Sequence, residues 1–284
     1  MLAHGPQILL DARARRRAVP AFTTYMLEST RSICEAAERT GLPVILAAGS
    51  SSFRGSSRAM LAAAAIAAAR EASVPVGVHL DHSTDLDEIR ACLELGYTSV
   101  MVDGSHLPFD ENVALTRAVV AEAHAVGAWV EAELGGVAGD EDASTGAVAG
   151  ELTDPGEAAE FVERTGVDAL AAAVGTVHGF TTAPVRVDVD RIRAISTLTD
   201  IPIVLHGASG LSDAQLATAV DAGVAKVNVN AELRRAYFAA LDGDGADDIP
   251  RLQARLVAAM AQVAAEKLVV LAGRRAHTTT AKEH

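Results

Sequence analysis

The chain has 284 residues, with 24 Lys and Arg against 37 Asp and Glu, for a formal charge of −13. That length accommodates two ordinary domains of about 150 residues or one large barrel, and the acidic balance excludes a general nucleic-acid or anionic-membrane binder, since both need a basic surface. Half the residues are apolar but only 4% aromatic, so Ala, Val, Leu and Ile must fill the core.

Short β-branched runs alternate with longer amphipathic ones along the chain. The first strand is predicted at 19–23 and its helix at 28–40. The pattern then repeats as strand 43–47 with helix 56–71, strand 76–80 with helix 86–95, and strand 99–102 with helix 112–125. Strand 128–133 leads into 135–150, a Gly-rich acidic stretch without apolar periodicity that reads as a mobile loop, and then into a helix over 155–164. Strands 169–174, 201–206 and 225–230 are followed by helices 189–197, 212–222 and 231–241. A turn, an extra amphipathic helix at 250–271 and a flexible tail at 273–284 complete the chain. Asp154-Pro155 and Ser212-Asp213 carry helix-start chemistry, while Gly41, Gly96, Gly127, Gly166 and Gly223 stand where helices stop. Eight strand–helix alternations predict an α/β chain folded as a single (β/α)8 TIM barrel over 1–284 with an additional C-terminal helix, against a doubly wound open sheet as the alternative.

The longest apolar run, 60–69, is about half the ~20 residues that span a bilayer, so no membrane span is expected. The apolar residues 8–10 before a basic cluster are too few for an export signal. Cys34 and Cys92, both in helix-like stretches, read as thiols of a cytoplasmic protein.

Barrel active sites form at the carboxyl ends of the strands. Six consecutive strands end in polar residues: His79, Asp81 and His82; Asp103, Ser105 and His106; Glu131 and Glu133; Thr176 and His178; His206 and Ser209; Asn228 and Asn230. Imidazoles from three separate strands, His82, His178 and His206, are the ligand types of a catalytic Zn²⁺ site with room for a substrate oxygen. His79 and His106 read as structural or as partners orienting a ligand. His4, His124, His277 and His284 read as solvated. The strand-region lysine, Lys226, shows no activating partner in the sequence, so Schiff-base chemistry is not expected. Glycines after strands and helix N-termini, including Gly179, Gly207, Ala208 and Ser209, supply backbone donors of the kind that hold phosphate.

The stretches HLDHS, SVMVDGSHLPFDEN, VEAELGGVAGDED, FVERTGVDALAAAVGTVHG, LHGASG and AKVNVNAELR resemble the class II, zinc-dependent ketose-bisphosphate aldolases of the fructose- and tagatose-bisphosphate type. The resemblance implies one catalytic Zn²⁺ on His82, His178 and His206, with Asp103 and Glu133 at a second or alternative metal position. It implies Asp81 as the acid/base at the ketose C4 hydroxyl, and Glu141 in the loop as the base for the dihydroxyacetone phosphate carbon. It places the dihydroxyacetone phosphate group at Gly179, Gly207, Ala208 and Ser209 and along Asn228, Val229, Asn230 and Ala231. A small-molecule ketose phosphate is the implied substrate, and a homodimer or homotetramer the implied assembly. The chain departs from the family at Thr23, where Asn is common, at Gly49, where Ser or Thr is common, and at Ala231, where Thr is usual. A lysine common just after the His-Gly of strand six is absent, Phe180 and Thr181 standing there. Arg54 is a candidate for substitute charge, against the reading of a solvated helix-start arginine. Two rivals follow. A barrel metallohydrolase calls for an H-x-H pair, which is lacking. A paralogue acting on a different ketose phosphate, or serving only as a binding or assembly subunit, fits the departures but not the retained Asp81, His82, His178 and His206.

Overall fold

The computed structural model describes residues 1–139, 149–179, 185–242 and 248–273. Eight strands, β1 (Val19–Thr23), β2 (Val44–Gly49), β3 (Val76–Ser83), β4 (Ser99–Val102), β5 (Trp129–Leu134), β6 (Ala169–Ala172), β7 (Ile203–Leu205) and β8 (Val224–Val229), pair in chain order. All pairs are parallel, and β8 returns to β1, so the sheet closes and the open-sheet alternative is excluded. The helices are α1 (Gln7–Ala14), α2 (Leu27–Thr40), α3 (Ser50–Gly55), α4 (Arg58–Glu71), α5 (Leu86–Glu94), α6 (Phe109–Ala125), α7 (Pro155–Thr165), α8 (Val189–Thr199), α9 (Asp213–Ala222), α10 (Ala231–Leu241) and α11 (Ile249–Leu271). This is the (β/α)8 TIM barrel with a C-terminal helix that the alternation predicts. Among the described residues no helix is long and apolar enough to cross a membrane.

The helix-start and helix-stop signals work as their chemistry dictates. The Asp154 carboxylate accepts the Gly156 and Glu157 amides ahead of α7, and Ser212 forms a reciprocal box with Gln215 ahead of α9. Gly41 and Gly166 end α2 and α7 in the left-handed region, at φ of 64° and 68°.

Side chains alternate along each strand. Phe22, Leu46, Val78, Val100, Val130 and Leu170 pack outward in one apolar cluster beneath the helices, whereas Ala21, Ile45, Met101, Trp129, Ala171 and Val204 fill the barrel interior. Two helices not predicted from the sequence flank that interior. In α1, Leu9 and Ala12 join the inner cluster alongside Val19. The short α3 follows directly on β2 at the opposite, catalytic rim. The helix α11 runs along α2 and α10, and its last carbonyl, Leu271, accepts the Ala18 amide just before β1.

Several expected boundaries move, and three of the changes bear on the site. The third strand runs on to Ser83 through a register shift between Leu80 and Ser83. The sixth and seventh strands end sooner, so Val174, His178 and His206 stand on the loops that follow them. Most of the loop expected at 135–150 lies outside the described residues, as do nearly all of the tail and the turn before α11.

Candidate active site and metal centre

The alternation that packs the core also delivers polar side chains inward. Asp81 on β3 and Asn228 on β8 belong to strands that are not neighbours, yet the Asn228 Nδ2 donates to both Asp81 oxygens, at 3.1 and 3.2 Å. Such a contact passes through the barrel. Asp81 is 3% exposed and lines a cleft of about 340 Å³ together with Thr23, Gly49, Arg54, His82, Asp103 and His178.

His82 breaks the alternation. At φ 41° it takes a left-handed backbone uncommon for a non-glycine residue, at the irregularity that extends β3. That turn brings a ring which regular pleating would direct outward into the cleft. Its Nδ1 is held by the Asp103 Oδ2 at 3.1 Å, which leaves Nε2 as the nitrogen that a cation would use. Burial pushes the Asp103 carboxyl up, but hydrogen bonds from His82 and Ser105 outweigh it and hold the group below the usual carboxylate range. Asp103 is therefore a carboxylate that fixes the His82 ring.

His178 follows β6 and is pinned through its amide to the Ala138 carbonyl at 2.8 Å. His206 follows β7, and its Nε2 lies 2.8 Å from the Glu131 Oε1. The three rings stand edge to face, with centroids 4.6 Å apart for His82–His206, 5.0 Å for His82–His178 and 5.6 Å for His178–His206. Glu133 completes the group, and one ligand atom from each of the four lies within 4.8 Å of the others.

The donor set fits a divalent cation. Both the His206 Nδ1 and the Glu133 Oε2 are buried without a hydrogen-bond partner among the described residues, 3.5 Å apart. Two lone pairs facing each other out of water are costly unless a cation or a proton lies between them. Burial, with help from His82 and Lys226, pushes the His206 imidazole well below its ordinary value, so it stays neutral as a ligand must. Burial likewise raises the Glu133 carboxyl to about 7, against the pull of His82. Imidazoles with a carboxylate suit Zn²⁺ or a similar ion.

The remaining predicted positions distribute as follows. Asp103 lies outside the four-residue group, on the far nitrogen of His82. Glu141 lies outside the described residues. Gly179 and Gly207 take φ of 73° and 62°, and a Cβ at Gly207 would meet the Val177 carbonyl oxygen at 2.4 Å. The Ser209 hydroxyl and the Gly210 amide donate to Glu232, in the first turn of α10. Asn230 is the N-cap residue of α10 and donates to the Tyr25 hydroxyl at 2.8 Å; Val229 ends β8 and Ala231 opens α10, both buried. His79 is fully buried, stacked on Trp129 at 5.4 Å, with its Nδ1 2.9 Å from the Ser99 Oγ. His106 is exposed, as are His4 and His124, the last paired with Asp168. His277 and His284 lie outside the described residues.

One sequence reading is corrected. Lys226 does have partners: its Nζ lies 2.7 Å from the Glu131 Oε2 and donates to the Asn228 Oδ1 at 2.8 Å, and all three side chains face the barrel interior. Asn228 is two positions on along the same strand, but no local pattern reports Glu131, which comes from a distant strand.

Two of the four departures from the family pattern, Thr23 and Gly49, meet at the cleft, with Arg54 beside them. Gly49 has a packing reason: a Cβ there would meet the Asp81 carbonyl oxygen at 2.6 Å, across the β2–β3 register that pairs these two residues. Gly49→Ser accordingly costs about 1–3 kcal/mol of stability in a urea unfolding experiment. Native stability in that variant would show that the two strands part there without penalty.

A closed parallel barrel with three imidazoles and a carboxylate at its catalytic rim, beside a buried aspartate, defines a barrel enzyme with a metal-binding type of centre. The family model described as fructose-bisphosphate aldolase class-II matches residues 4–274. The chain belongs to that family and is an aldolase, a lyase. Among solved structures, the YdjI aldolase from Escherichia coli K12 superposes with a TM-score of 0.88 at 33% identity, over 95% of this chain and 97% of that one. A protein described as a fructose-1,6-biphosphate aldolase from Coccidioides immitis gives 0.87 at 34% identity, over 94% and 96%. Fructose-bisphosphate aldolase from Campylobacter jejuni, at 22% identity and a TM-score of 0.76 over 95% of each chain, matches in fold.

Proposed function

We propose that this aldolase reversibly cleaves a phosphorylated ketose of the fructose- or tagatose-bisphosphate kind into dihydroxyacetone phosphate and an aldehyde, with Zn²⁺ held by His82, His178 and His206 and with Glu133 beside it. The observation that carries this reading is the four-residue group within 4.8 Å, two of whose members, His82 and His178, line one cleft with Asp81. When bound, the cation supplies Lewis acidity to the charge that builds on the ketose C2 oxygen as the C3–C4 bond breaks. Asp81, buried and held by Asn228, takes the C4 hydroxyl proton in cleavage and returns it in condensation. Asp103 keeps the His82 ring oriented, and Glu131 does the same for His206. Glu141, two positions beyond the cleft residue Gly139, exchanges the proton on the dihydroxyacetone phosphate carbon. The phosphate sits among Gly179, Gly207, Ala208 and Ser209 and the α10 start from Asn228 to Ala231, where backbone N–H groups and the helix dipole favour an anion.

In the same reading the enzyme is a cytoplasmic homodimer or homotetramer. Exposed Leu27, Phe238 and Ile249, on α2, α10 and α11, offer apolar surface for that assembly, and neither cysteine is in a disulfide. Purified protein, metal-loaded or treated with chelator, is offered a panel of ketose mono- and bisphosphates while dihydroxyacetone phosphate release is followed. Release that the chelator abolishes is expected. Chelator-insensitive release excludes the metal mechanism, and silence across the panel overturns the reading as an active ketose-phosphate aldolase.

A further inference from the structure

The barrel interior below the metal-type group holds a buried lysine that the proposed chemistry does not use. Lys226 on β8 and Glu131 on β5 are both 0% exposed, with Nζ and Oε2 2.7 Å apart. Taking a lysine out of water costs several kcal/mol, and a well-packed apolar pair of similar volume often gives equal or greater stability. Stability alone therefore does not account for Lys226. Nor does its Nζ reach substrate: it lies against Glu131 and Asn228, and Lys226 is absent from the cleft wall.

What the ammonium does is fix an amide. A lysine only donates, so the Asn228 oxygen must face it, and the Asn228 NH₂ must face the other way. The other way is Asp81, whose two oxygens receive that NH₂ at 3.1 and 3.2 Å. With an apolar residue at 226 the Asn228 oxygen loses this donor, and the amide is then held in its sense from the Asp81 side alone, free to tilt and carry the carboxylate with it.

We propose that Lys226 is a positioning residue of the aldol reaction, acting through the Asn228 amide to hold the Asp81 carboxylate in line for proton transfer. The inference rests on the assignment of Asp81 as acid/base in the proposed function. Lys226→Met alone leaves Glu131 buried without its ammonium counter-charge, which endangers folding. The informative variant is Lys226→Met with Glu131→Gln, which removes both charges and keeps an acceptor for His206. This protein is expected to unfold at or above the native midpoint and to bind Co²⁺ within about threefold of native affinity. Its kcat for dihydroxyacetone phosphate release is expected to fall on the order of 100-fold, with KM within about threefold. Adding Asn228→Ala to that pair should lower kcat no further than Asn228→Ala does alone, because both changes break one connection. Native kcat in the folded pair variant overturns the proposal. So do losses that multiply with Asn228→Ala, and so does a tenfold or larger fall in Co²⁺ affinity, which would make the Lys226–Glu131 pair a support for His206 instead. If the native enzyme is silent on every ketose phosphate, it is the proposed function that fails; if native enzyme is active and the pair variant equally so, only the role of Lys226 fails.

Discussion

Asp81→Ala suppresses dihydroxyacetone phosphate release by about 10²–10⁴-fold, the span that a positioned acid/base contributes, while metal content stays near native. The two halves of this result have separate causes. Asp81 is not among the four residues whose ligand atoms converge, and the ring next to it in sequence, His82, is fixed by Asp103 and by its own left-handed backbone. Removing the Asp81 carboxylate thus leaves each candidate ligand with the partner that orients it. Asn228 loses an acceptor but keeps Lys226, so the wall behind the site stays in place. Turnover and metal content, measured on the same preparation by coupled assay and elemental analysis, check the point. Unchanged turnover removes Asp81 from its role, and turnover lost together with the metal makes the residue a support for the centre.

The parallel barrel was legible because each βα unit carries its own local signals. Apolar alternation gives the strands, and Asp154 or Ser212 at one end with Gly41 or Gly166 at the other gives the helix limits. The convergence of His82, His178 and His206 was legible for a related reason. Once eight strands close in order, residues at equivalent strand ends share a rim whatever their separation in the chain. The parts that escaped are those set by tertiary contact. In α3 four of the six residues, three serines and a glycine, have weak helix propensity, and the segment is held in place by the strand before it. The turn at His82 lies where the sequence offers no glycine, so periodicity puts that ring on the wrong face.

The pairing of Lys226 with Glu131 was hidden for the same reason: charge partners across a barrel have no fixed spacing in sequence. The Asn228 side chain has a further part that the sequence did not report. The family resemblance puts the residue with the phosphate, and its side chain bridges Lys226 and Asp81. Two of the departures, Thr23 and Gly49, meet only in three dimensions. Thr23, Gly49 and Arg54 are scattered along the sequence but line one cleft wall, and Gly49 answers to the backbone of Asp81 rather than to a missing hydroxyl.

In metal-free protein, Glu133→Gln raises stability at pH 8 by on the order of 3 kcal/mol and changes it little near pH 4.5. The sign follows from linkage. Burial raises the native Glu133 carboxyl from 4.5 to about 7, so the folded state binds this proton more tightly than the unfolded chain does. The group's favourable contribution is complete below 4.5 and is lost as pH climbs through about 7, where the fold must hold a buried carboxylate that water would solvate better. A shift of that size corresponds to about 3 kcal/mol at 1.36 kcal/mol per unit. Glutamine never ionises and still accepts the Val137 amide that Glu133 accepts at 3.0 Å. His79 and His206, both pushed down chiefly by burial, act in the opposite sense, losing stability as pH falls below 6.5. His79 enters both proteins alike, and His206, 3.5 Å from the substituted side chain, acts only below that pH, away from the comparison at pH 8. Urea unfolding of the two chelated proteins across pH 4.5 to 8 gives the curve directly. A difference that does not vary with pH would mean that Glu133 is not held uncharged by its surroundings, and the case for a cation as its natural counter-charge would lose its electrostatic basis.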